Sequence, residues 1–206
     1  VELFLWRFAE TIILIFALYS AYKIRLLAVF NYGRVIHEFD PYFNLRATEY
    51  LVNNGISNFF NWYDEASWYP IGRPIGSTIY PGLQITAASF YYIANAFENP
   101  WTGVSLNDVC VFIPAIFGVL TTIATCLLAY EVTKDEIVSV IAAVFVAVSP
   151  SHLMRSVAGG FDNEAIALFA MVFTFYLWCR CLRTNQSWPF SILAAFSYIY
   201  MVAAWG

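Results

Sequence analysis

Runs of about 20 apolar residues constrain a chain more than any other pattern, because lipid cannot hydrogen-bond a backbone and leaves only helices or closed barrels as spanning forms. Five such runs occur here, at 8–30, 108–130, 137–154, 164–182 and 188–206, and the last four are separated by short polar breaks. The pattern predicts an all-α polytopic membrane protein, a multi-span helical bundle with about five spans. Only 12% of the residues are charged and 61% are apolar, against roughly a quarter charged in an average soluble domain. The net charge of −4 and the scattered basic residues exclude a nucleic-acid stripe, so membrane lipids are the general partner. Cys110, Cys126, Cys179 and Cys181 all sit in or beside apolar runs, and no disulfide is expected. The first run is too long for a signal-peptide core of about 7–15 residues and reads as a retained helix. The start at Val1 and the stop at Trp205-Gly206, inside an apolar segment, predict a piece of a longer protein.

The chain thus divides into a first span over 1–30, an extramembrane loop over 31–107, and four further spans over 108–206 with a polar loop at 151–164. The long loop is dense in Asn, Asp, Tyr, Trp, Pro and Gly, which predicts an ordered loop and not a linker. Its stretch 80–98 is apolar but contains Gln84, Thr86, Ser89 and Asn95, and reads as an interfacial or protein-packed helix. The 137–154 run meets Pro150 and His152 before it can cross about 30 Å of hydrocarbon, so something polar must be tolerated near its end. Arg7, Lys134, Arg180 and Arg183 fall on one side and Arg155 on the other, which points the larger set to the cytoplasm. Lys23 and Arg25 lie toward the opposite end of the first span and are expected to snorkel to the interface.

Two acidic blocks could carry chemistry. In His37-Glu38-Phe39-Asp40-Pro41 the two carboxylates point the same way only on an extended backbone, toward which Pro41 biases Asp40. A solvated loop acid is the ordinary alternative. In Ser156-Val157-Ala158-Gly159-Gly160-Phe161-Asp162-Asn163-Glu164, Asp162 fits a helix N-cap with Glu164 in the first turn. Capping accounts for one acid but requires neither the second nor the glycine pair. Two crossings separate the blocks, so both emerge on one face, provided 80–98 does not cross. Carboxylates crowded together call for a cation, and an all-oxygen set favours Mg²⁺ or Mn²⁺. His37 and His152 lack a spacing partner, which argues against zinc. Arg155 could steady the acids, meet a phosphate or anchor the interface.

The blocks His37-Glu38-Phe39-Asp40-Pro41-Tyr42-Phe43-Asn44-Leu45-Arg46-Ala47-Thr48, Trp68-Tyr69-Pro70, Tyr80-Pro81-Gly82, Arg155-Ser156-Val157-Ala158-Gly159, Asp162-Asn163-Glu164-Ala165 and Tyr200-Met201-Val202-Ala203-Ala204-Trp205-Gly206 occur in this order. Together they resemble the catalytic subunit of eukaryotic oligosaccharyltransferase over essentially the whole chain. Leu45 stands where an aromatic is more usual, and Gly160-Phe161 where a small residue and Tyr are common. The resemblance implies a bundle of the C-type glycosyltransferase kind with a long first lumenal loop, in the endoplasmic reticulum membrane. It implies transfer of a preassembled oligosaccharide from dolichyl diphosphate to the asparagine of an Asn-x-Ser/Thr sequon, with inversion, alongside other oligosaccharyltransferase subunits. It further implies that Asp40 accepts a hydrogen bond from the acceptor amide and touches the metal, that Asp162 and Glu164 ligate the metal, and that Glu38 ligates or orients. Further spans, another acidic loop motif and a C-terminal lumenal domain with a Trp-Trp-Asp motif are implied outside 1–206, so the fragment alone is expected to be inactive. Two other readings compete: a dolichyl-phosphate-sugar glycosyltransferase, which would not need the second acidic block, and an ion-coupled transporter, whose acids should lie near mid-bilayer among broken helices.

Overall fold

The computed structural model describes residues 2–96 and 103–205. The first apolar run forms α1 (Glu2–Arg25), which continues through Leu26 into α2 (Leu27–Tyr32). The run at 108–130 extends into α5 (Leu106–Thr133). Ser105 caps α5 by accepting from the Asp108 N–H at 3.0 Å, and Lys134 ends it in the left-handed region at φ 59°. Next come α6 (Glu136–Val148), α7 (Pro150–Met154), α8 (Asn163–Cys181) and α9 (Pro189–Ala204). Among the described residues, three helices are long and apolar enough to cross a membrane, over Trp6–Tyr32, Leu106–Thr133 and Asn163–Cys181. The helices α6 and α9 are apolar but shorter, at 13 and 16 residues. The 137–154 run therefore does not form one helix. It breaks at Ser149, whose ψ of 122° is the extended conformation that a following Pro150 favours.

Helix α5 packs against α1, α4, α6 and α8, and α8 against α9. Ala165, Ala167 and Ala170 are buried on α8, small side chains that let helices approach closely where lipid offers no hydrophobic drive. Phe16, Phe145, Phe175 and Phe196 point outward, as suits a lipid-facing surface.

Within the loop, α3 (Phe39–Phe60) is a helix that apolar periodicity did not announce, bent where Gly55 takes φ 78°. A two-residue antiparallel pair, β1 (Tyr63–Asp64) with β2 (Arg73–Pro74), leads to α4 (Gly82–Ala96). The expected helix at 80–98 is thus present to Ala96, and its last two positions lie outside the described residues. All four cysteines are free.

Ion pairs sort the helix ends into two groups. At one end, Arg7 pairs with Glu136, while Lys134, Arg180 and Arg183 surround Glu131. At the other, Arg34 pairs with Asp108 at 3.1 Å, and Asn107 donates to the Arg34 carbonyl at 3.0 Å. The long loop therefore leaves α2 and returns to α5 at one place. Arg25 departs from the snorkelling expectation: it is fully buried and turned inward. Lys23 instead lies over the Phe30 ring at 4.8 Å.

Candidate active site

Backbone bonds fix the second acidic block. The Ala158 N–H donates to Arg25 O (2.9 Å), the Gly159 N–H to Val111 O (3.0 Å), and the His37 N–H to Gly159 O (3.1 Å). The last of these ties the two acidic blocks together across 122 residues of sequence (159 − 37). Gly159 has φ +93°, and a Cβ there would meet Val35 O at 2.5 Å and His37 Cδ2 at 2.8 Å. Only glycine permits both that conformation and that contact.

Asp162 is the N-cap of α8, its Oδ1 accepting from the Asn163 N–H at 2.7 Å. Asn44, on α3, donates from Nδ2 to Phe161 O at 3.1 Å and to the same Oδ1 at 3.3 Å. Fully buried Gln84, on α4, donates to Asn44 Oδ1 at 3.1 Å, an arrangement that orients the Asn44 amide with its nitrogen toward Asp162. Residue reasoning assigned neither Asn44 nor Gln84 a role. The available signal was a polar residue inside the first acidic block and another inside an otherwise apolar helix.

Glu164 lies in the first turn of α8 with Oε2 2.8 Å from Arg155 Nε. That oxygen is buried and has no aligned hydrogen bond, and the same holds for Asn163 Oδ1; we read the Arg155 contact as an ion pair whose N–H points aside. Arg155 attracts the Glu164 carboxylate, while Asp162, Asp40 and Glu38 repel it. All four acids therefore share one neighbourhood. Glu38 and Asp40 are both exposed. The extended backbone expected at Asp40 is overturned: α3 begins at Phe39, and Pro41 sits in its first turn, where a missing N–H costs nothing. Glu38 instead takes the turn, with φ 72°.

The unpartnered amide oxygen of Asn163 and four neighbouring carboxylates suit a hard divalent cation. Among the described residues, however, no three His, Cys, Asp or Glu side chains close to metal-holding distance, so these residues fit as part of a ligand set. The histidines are engaged otherwise. His37 Nε2 is 3.2 Å from Ala158 O. His152, beyond the end of α6, meets Arg25 Nη2 at 2.8 Å through Nδ1. A guanidinium can only donate, so Nδ1 accepts and the ring is neutral; burial, then the Arg25 charge, push its pKa down to about 4. A cavity of about 550 Å³ opens beside Glu164, lined also by His152 and Arg155 and walled by Leu168, Val172 and Trp205.

A family model described as "Oligosaccharyl transferase STT3, N-terminal" matches residues 4–206. The subunit STT3A of dolichyl-diphosphooligosaccharide–protein glycosyltransferase from Oryza sativa subsp. japonica is 47% identical over 198 residues, 96% of this chain. The chain spans about a quarter of the length of the relatives it matches: 24% of that subunit and 24% of the archaeal oligosaccharyltransferase AglB from Archaeoglobus fulgidus. The AglB structure, in complex with an inhibitory peptide and a dolichol-phosphate, superposes with a TM-score of 0.77 over 97% of this chain at 26% identity. A second structure of the Archaeoglobus fulgidus enzyme, in complex with Zn and sulfate, gives 0.74 over 94% of this chain and 25% of its own, also at 26% identity. A helical bundle built around paired acidic blocks, matched along nearly its whole length by that family model, belongs to the STT3 oligosaccharyl transferase family, in its N-terminal region.

Proposed function

We propose that this chain is the N-terminal part of an oligosaccharyltransferase catalytic subunit, which transfers a preassembled oligosaccharide from dolichyl diphosphate to the asparagine of Asn-x-Ser/Thr sequons at the lumenal face of the endoplasmic reticulum membrane. The observation that carries the reading is the His37–Gly159 bond, which gathers Glu38, Asp40, Asp162 and Glu164 at one end of the bundle. An amide nitrogen is a poor nucleophile because its lone pair is delocalised into the carbonyl, so the acceptor must be held and its N–H polarised. Asp40, exposed at the start of α3, accepts the hydrogen bond from that amide. Asp162 and Glu164, with Asp40, offer the oxygens that hold Mn²⁺ or Mg²⁺, and the remaining ligands come from the longer protein. When bound, such a cation neutralises charge on the departing diphosphate. Glu38 adds to the negative field. Arg155 limits repulsion at Glu164 and presents a cation to the diphosphate at the cavity mouth. Attack opposite the leaving group inverts the anomeric centre.

The test uses the full-length protein, with membrane assembly checked for each variant. Asp162→Ala and Glu164→Ala should weaken Mn²⁺ binding and lower transfer to a sequon peptide, with partial recovery in excess Mn²⁺. Asp40→Asn should lose roughly 10²–10³-fold in rate and be rescued little, because it keeps an oxygen but loses the charge that holds the amide. Near wild-type turnover by well-assembled Asp162→Ala would reduce the second block to a helix cap.

A further inference from the structure

Arg25 is the last residue of α1, is fully buried, and among the described residues pairs with no carboxylate. A buried guanidinium without an anion carries a large desolvation cost, which folding tolerates only where its donors are satisfied. Here they are. Nε donates to Ser156 Oγ at 2.9 Å, Nη1 to Ala21 O at 2.8 Å and Ala147 O at 3.1 Å, and Nη2 to His152 Nδ1 at 2.8 Å. Ser156 Oγ in turn donates to His152 O. These partners lie on α1, at the end of α6, in α7 and in the loop that enters the second acidic block. Helix α5 makes room for the side chain: a Cβ at Gly118 would collide with Arg25 Nε and Cδ. The Arg25 carbonyl then takes the Ala158 N–H, one residue before the glycine that touches the first acidic block.

We propose that Arg25 is a positioning residue for the transfer reaction, acting through Ser156 and His152 to set where Asp162 and Glu164 stand relative to Glu38 and Asp40. It touches neither substrate nor cation. Its planar fork holds four acceptors from separate segments at once, so the 156–162 loop has one place to lie. Lysine keeps the charge but, with a single compact ammonium, cannot span those acceptors. The inference rests on the reading of Asp162 and Glu164 as cation ligands, and the experiment separates the two.

In the full-length protein within its native complex, Mn²⁺ affinity is measured by the electron paramagnetic resonance signal of free Mn²⁺, together with the thermal unfolding midpoint, for Asp162→Ala, Arg25→Lys and Ser156→Ala. Arg25→Lys and Ser156→Ala should each weaken Mn²⁺ binding about tenfold per folded molecule, as loss of a partner that orients ligands does, and excess Mn²⁺ should restore turnover. If Arg25→Lys does not fold, Ser156→Ala decides, since it leaves the other three acceptors of Arg25 in place. Weakened binding in Asp162→Ala with wild-type affinity in folded Ser156→Ala and Arg25→Lys overturns the positioning role alone. Wild-type affinity in Asp162→Ala overturns the ligand reading, and this inference falls with it. A lowered unfolding midpoint with unchanged Mn²⁺ affinity overturns it as well, because that is what a merely structural role produces.

Discussion

The single residue on which the site turns is Gly159. Its N–H and C=O are both committed, to Val111 and His37, and its φ of +93° is one that L side chains rarely adopt. Gly159→Ala adds a methyl against the Val35 carbonyl and forces that backbone, at a combined cost of roughly 1–3 kcal/mol or more. The expected outcome is a lower unfolding temperature together with lost transfer activity, although every carboxylate remains. Activity near wild type would show that the two acidic blocks need not touch through this bond.

At the scale of elements, the far end of the bundle is organised by one carboxylate. Glu131, near the end of α5, has a side chain only 5% exposed and receives Lys134 at 2.7 Å, Arg183 at 3.1 Å and Arg180 at 3.5 Å. It thereby fastens the end of α5 to the end of α8. The cations are about a third exposed, so solvent screens part of the attraction. Glu131→Gln leaves three like charges around a neutral amide and should destabilise the detergent-solubilised protein by about 2–3 kcal/mol. Denaturant unfolding checks this. Because the acids that gather at the other end are untouched, Mn²⁺ affinity should stay at the wild-type level.

Across the whole molecule, the sorting of ion pairs into two ends makes the topology testable. Asn58 lies exposed on α3 and Asn107 at the start of α5, beside Arg34. Single cysteines at these positions, in a background lacking the native four, should be labelled from the same side of sealed vesicles by an impermeant thiol reagent. Labelling from opposite sides would mean that α4 crosses and would remove the joint site. Asn185-Gln186-Ser187, the only sequon in the chain, lies between α8 and α9, next to Arg183 at the basic end. It should remain unglycosylated, which mass spectrometry of the native protein can establish.

Apolar runs determined that the chain is a helical membrane bundle, because lipid admits few alternatives, and the spacing of blocks such as Asp162-Asn163-Glu164 marked the acids. Local pattern misjudged Asp40, since Pro41 disfavours a helix before it except in the first turn, and whether a turn starts there depends on what α3 packs against. Pattern also passed over α3, whose buried face carries Asn44, Ala47 and Thr48 and so gives no apolar period, and sent Arg25 to the interface, because a charge at the end of an apolar run ordinarily finds water. Only the tertiary structure supplied the alternative: three acceptors from distant segments beside one on its own helix, an opening at Gly118, and a backbone contact between Gly159 and His37. Such arrangements depend on residues 93 or more positions apart (118 − 25 for the nearest pair) meeting in space, and no window along the chain contains both partners.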